Sequence, residues 1–153
     1  MALQDRLAAV DALLARPFPE TEERGSASRD VWEGYRSSGP DHHVCYLAAS
    51  RDFWDDRGEE VVEAAQAEID AALQELVTAL TARWGAPRVV DLWRRVENED
   101  PAPAPLGELG QLSDTMLVWR RPDADRWLAL AVGQADPEFP VLLLAAVGET
   151  SLD

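Results

Sequence analysis

The chain has no lysine and only one cysteine; all fourteen of its basic residues are arginine. It therefore lacks the amine of a Schiff-base enzyme and the Gly-Lys of a phosphate-binding loop. The lone Cys45 cannot close an intrachain disulfide, and neither Cys-x-x-Cys nor His-Glu-x-x-His spacing is present to hold zinc. Gly-x-Gly-x-x-Gly and Gly-x-Ser-x-Gly are also missing, which weakens the case for a dinucleotide enzyme or a serine hydrolase. The longest apolar run, Val141 to Val147, is far short of the roughly 20 residues a membrane helix needs. The opening Met-Ala-Leu-Gln-Asp-Arg has neither the basic nor the apolar region of a secretory signal, so the expected location is the reducing cytoplasm.

Positive charge is the other scarcity. Twenty-nine carboxylates face the fourteen arginines, for a formal charge of −15. Nucleic-acid backbones and anionic lipid surfaces are repelled by such a surface, and a basic protein is the partner class that fits it. At 153 residues the chain is long enough to bury a core without disulfides or metal, and a single domain over 1–153 is expected, with no cofactor.

What is present is organised around one stretch. Val62, Ala65, Ile69, Leu73, Leu76, Leu80 and Trp84 recur at steps of three and four, an apolar stripe on a helix of about seven turns from Glu59 to Trp84. Gly85 stands where a left-handed residue just past a helix end belongs, and Pro87 cannot continue the helix. Glu59, Glu60 and Glu63 begin the helix and Arg83 ends it, in the sense the macrodipole favours. Glu68, Asp70, Gln74, Glu75, Thr78 and Thr81 fill the opposite, solvated arc.

Leu3, Leu7, Val10 and Leu14 mark a shorter amphipathic helix over 3–16 that Pro17 ends. Residues 18–41, rich in Pro, Gly, Ser and charge, read as a long loop pinned by Phe18, Trp32 and Tyr35, with one helical turn over Asp30 to Arg36. Val44 to Ala48 and Arg88 to Trp93 read as short strands, and Leu106, Leu109 and Leu112 as a turn docking a proline-rich interval. Thr115 to Arg120, Trp127 to Gln134 and Val141 to Gly148, separated by Pro/Asp turns, form a C-terminal three-stranded meander. In its middle strand Leu128 and Leu130 alternate with Ala129 and Ala131; the small face would let a helix approach, while the large face fills a core. The fold class is α+β: a mainly antiparallel sheet of four or five strands, the long helix across one face, and the short N-terminal helix.

Three constellations carry candidate chemistry. His42, His43 and Cys45 fall within four residues, and His43 and Cys45, two apart, share one face of a strand. With Asp55 they are weak candidates for a metal site or a thiol-imidazole pair, and a buried structural cysteine is the preferred reading. Asp52, Asp55, Asp56, Glu59, Glu60 and Glu63 are dense enough to hold a cation, but match no calcium-loop spacing and are explained by the start of the helix. Of six tryptophans, Trp32 and Trp54 lie in charged loops and are candidate partner anchors; Trp84, Trp119 and Trp127 read as core.

The leading expectation is a protein-binding module for a basic partner, similar in size and charge to small immunity proteins or secretion chaperones. Trp32, Trp54, Glu97, Glu99 and Asp100 are its contact residues, with Glu20, Glu22 and Glu23 adding charge. The alternative is a small-molecule pocket between helix and sheet lined by Trp93, Trp119 and Trp127, with Arg120, Arg121 and Arg126 nearby for an anionic ligand. A hydrolase or metal enzyme using His43 and Cys45 ranks last.

Overall fold

The computed structural model describes residues 2–21, 23–24, 36–92, 109, 113–120 and 125–149. Within them lie helix α1 (Leu3–Ala15), strands β1 (Glu23–Arg24), β2 (Arg36–Gly39) and β3 (His42–Ala49), helix α2 (Glu59–Trp84), and strands β4 (Arg88–Asp91), β5 (Thr115–Arg120), β6 (Trp127–Gly133) and β7 (Leu142–Gly148). The strands form one sheet in the order β1-β2-β3-β7-β6-β5-β4, and every neighbouring pair is antiparallel. The class is α+β, with the meander β5-β6-β7 and the long helix across the sheet. None of the helices among the described residues is long and apolar enough to cross a membrane.

Seven strands stand where four or five were expected. The difference lies in 18–41, where β1 and β2 form in a stretch whose composition reads as loop. Pro40 and Asp41 make the two-residue turn between β2 and β3, and Gly39 pairs with His42 across it. The helical turn expected over Asp30 to Arg36 falls largely outside the described residues, and Arg36 itself belongs to β2. The strand expected to run to Trp93 ends at Asp91; Leu92, fully buried, donates its N–H to the Asp114 carbonyl at 2.8 Å.

β7 occupies the middle of the sheet, and all seven of its residues are buried. A strand covered on both faces reads as a continuous apolar run, as this one does. One face carries Cys45, Leu47, Trp119, Leu128, Leu130, Leu143, Ala145 and Val147 against Val10, Leu13 and Leu14 of α1 and Ala65, Ile69, Ala72, Leu76 and Leu80 of α2. The other carries Val44, Val90, Met116, Val118, Trp127, Ala129, Ala131, Leu142, Leu144 and Ala146, together with Leu92 and Leu109. A register shift between Tyr46 and Ala48 leaves both Leu47 and Ala48 packed toward the helices.

Two expectations about α2 are corrected. The helix lies on the leucine face of β6, not on the alanine face; the small residues that admit close approach, Ala65 and Ala72, are its own. The buried stripe is also rotated, with Ala72 inside, Leu73 at the margin and Val62 36% exposed. The helix end is as read: Gly85 has φ +90° and ψ −176°, a conformation open only to glycine, and its N–H bonds the Thr81 carbonyl at 2.9 Å. The Gly85 carbonyl accepts the Trp119 indole N–H at 3.1 Å, which fastens the helix end to β5.

Candidate functional site

The loop between β3 and α2 is held by backbone chemistry at one end and a buried ring in the middle. Ser50 donates its N–H to the Val141 carbonyl at 2.9 Å, and its hydroxyl accepts the Val141 N–H at 2.9 Å. Phe53 is fully buried and donates its N–H to the Glu138 carbonyl at 2.9 Å. With Phe53 turned inward, the next residue stands out: Trp54 is 59% exposed, its ring edge-on to Phe139 at 5.4 Å between centroids. Arg57 ties the loop to the same turn by donating to the Glu138 carboxylate at 2.9 Å. An exposed tryptophan resting on a second ring presents a large contact surface at low entropic cost on binding.

Around it the charge is of one sign in the main. Asp52, Asp55, Asp56, Glu59, Glu60 and Glu63 are all exposed, and Glu68, Asp70 and Glu75 continue the carboxylate face along α2. Asp56 accepts the Gly58 N–H at 2.8 Å and so starts the helix in place of a side-chain cap. A shallow open groove lined by Arg51, Glu60, Val61, Ala64, Ala65 and Glu68 runs beside the first turns. Sequence reasoning named Trp54 as an anchor but read the carboxylates beside it as the start of the helix, put the partner charge on Glu97, Glu99 and Asp100, and gave no site role to Phe139, Arg57 or Glu138. The available signal was an aromatic set between Pro137 and Pro140, in a turn where nothing else is apolar.

His43 and Cys45 do share the helix-facing side of β3, yet the imidazole is turned to other work. His43 is fully buried; its Nε2 lies 3.0 Å from the Arg16 carbonyl and its Nδ1 2.6 Å from the Ser38 hydroxyl. The carbonyl can only accept, so Nε2 carries the proton and Nδ1 receives the hydroxyl's. Both ring nitrogens are thus committed away from Cys45, which is buried. Burial pushes the His43 imidazole below its ordinary value of 6.5; the Arg16 carbonyl opposes this, and the charges of Arg16, Arg126 and His42 add to it. Asp55 is exposed in the loop, and among the described residues no group of His, Cys, Asp and Glu side chains is placed to hold a metal ion.

Those of the pocket residues that are described are not brought together. Trp119, 2% exposed, packs on the helix face of the sheet, whereas Trp127, fully buried, packs on the opposite face. Arg120 is exposed at the end of β5. Arg126 is occupied at the end of α1, donating to the Leu14 and Arg16 carbonyls at 2.8 and 2.6 Å. Trp32, Trp93, Glu97, Glu99, Asp100 and Arg121 lie outside the described residues. No family model, no curated protein and no solved structure matches the chain.

Proposed function

We propose that the chain is a protein-binding module for a basic partner, with Trp54 as the anchor and the carboxylates of the loop and of α2 as the steering field. The observation that carries this reading is a large aromatic side chain, Trp54, left 59% exposed on the Phe139 ring in a stretch that carries the exposed Asp52, Asp55, Asp56, Glu59 and Glu60. Exposed carboxylates raise the rate of encounter with a cationic surface, and a central aromatic supplies residence time. This mode of action is that of an immunity protein or a secretion chaperone, which masks a basic protein. The pocket reading is not favoured, because its two described tryptophans face opposite layers and the helix-sheet space is filled by leucine and alanine side chains.

Affinity capture from the native lysate at low salt tests it. A basic protein should be retained by the parent, released as salt rises, and lost from a Trp54→Ala variant of unchanged fold. Retention of nothing basic, or equal retention by the variant, would remove the basis for the reading.

A further inference from the structure

The C-terminal end of α1 is held in an unusual way. The helix has 13 residues, no side-chain cap at its N-terminus and no basic residue in its last turn. A helix of that length is marginal alone, and its last carbonyls need donors. Arg16 N–H reaches Leu13 O only at 3.4 Å, and the remaining donors come from elsewhere: Arg126 bonds the carbonyls of Leu14 and Arg16, and His43 Nε2 bonds that of Arg16. Phe18 closes the assembly, its ring 4.8 Å from the His43 ring and 3.8 Å beneath the Arg126 guanidinium. The ion pairs linking α1 to α2, Arg83–Asp11 at 3.1 Å and Arg6–Glu75 at 4.0 Å, involve carboxylates more than half exposed and contribute little.

We infer that His43 and Arg126 form a proton-gated clasp on α1, which releases the helix from the sheet when the His43 imidazole takes up a second proton. The neutral ring is the form the site is built for. A proton on Nδ1 would place a buried cation beside the partly buried Arg126, and would leave the Ser38 hydroxyl, itself 3% exposed, without the acceptor it now has. The charged groups around the ring among the described residues are Arg16 from the end of α1, Arg126 from the start of β6, and His42 and Asp41 beside it on β3 and its turn. Glu149, after β7, lies 3.8 Å from Arg126 and is half exposed, while Asp41 bonds His42 at 2.9 Å. Neither carboxylate bonds His43, so the added charge gains no partner. The released segment would uncover Val10, Leu13 and Leu14, now buried against the sheet and α2.

Amide hydrogen exchange between pH 7.5 and 5.5, corrected for the intrinsic pH dependence, tests the clasp. Uptake of one proton predicts that the opening constant of α1 rises up to about tenfold per unit of pH below the unfolded-state value and stays larger than that of α2, which opens only with the whole molecule. In His43→Gln, which can accept from Ser38 and donate to Arg16 without titrating, the α1 rise should vanish. Should that variant not fold, the imidazole resonance of His43 in the parent serves instead: its titration midpoint should coincide with that of α1 opening. A pH-independent α1, a rise retained in His43→Gln, α1 and α2 opening together, or an imidazole that titrates without effect on α1 would each overturn the inference.

Discussion

A methyl group added at Gly148 would collide with Cζ2 of the Trp127 indole, and one added at Gly39 would come within 2.5 Å of the His42 ring. These glycines sit opposite the rings in the sheet register, Gly39 against His42, His42 against Gly148, and Gly148 against Trp127, so that glycine and ring alternate across four strands. Trp127 is fully buried and has no room to yield. Gly148→Ala is therefore expected to cost about 1–3 kcal/mol, read as a lower urea midpoint at unchanged slope. None of this was legible in the sequence, because the residue that needs Gly148 is 21 positions away and only strand pairing joins them. Gly85 was legible, since its task is local to the helix it ends. His43 has a consequence at the same scale. Its folded-state value is lowered, so the unfolded chain binds the proton more readily and stability rises with pH across this window. The contribution is intact above 6.5 and is lost progressively as pH falls from there toward the folded value. Denaturation midpoints of the parent should fall relative to His43→Gln over that interval, and parallel curves would show that the imidazole is not the group involved.

At the scale of the element, periodicity identified α2 from its first residue to its last, because a 26-residue amphipathic pattern with a glycine stop has few alternatives. What periodicity could not settle was which neighbouring column of side chains faces inward. Ala65 and Ala72 lie against the sheet while the larger Val62 and Leu73 stand at the margin or beyond, an arrangement set by the leucines of β6 and β7 that fill the space opposite. Leu76, fully buried, should cost about 2–5 kcal/mol when replaced by alanine, whereas Val62→Ala should stay within roughly 0.5 kcal/mol of the parent. Equal losses at the two positions in urea denaturation would show that the stripe had been placed on the wrong column. The pair β1 and β2 was missed for a different reason. Arg-Ser-Ser-Gly has weak intrinsic strand preference, and β2 exists because the Pro40-Asp41 turn folds it back onto β3, where Ser38 is bonded to His43. The turn residues were visible; their reading as a hairpin required knowing that β3 had an unpaired edge.

For the whole molecule, the sheet is a partition between two apolar layers. That arrangement explains why β7 is apolar throughout, and it leaves the surface to the carboxylates. The candidate site follows from the same economy of space: Phe53 is drawn into the helix-side core, and the adjacent Trp54 is left outside on Phe139 in a stretch where exposed carboxylates outnumber arginines. Half of that site was legible, because an aromatic amid charges in a loop is visible as such. The other half was not, since Phe139 and Glu138 come from a turn more than 80 residues distant. The most direct test of the central claim is the equilibrium affinity for the captured basic partner, measured across a salt series for the parent and for Trp54→Ala. The account predicts binding that weakens steadily with salt and loses about tenfold or more in the variant at every salt concentration, as expected for an anchor within a steering field. Affinity independent of salt, or a variant that binds as the parent does, would contradict it.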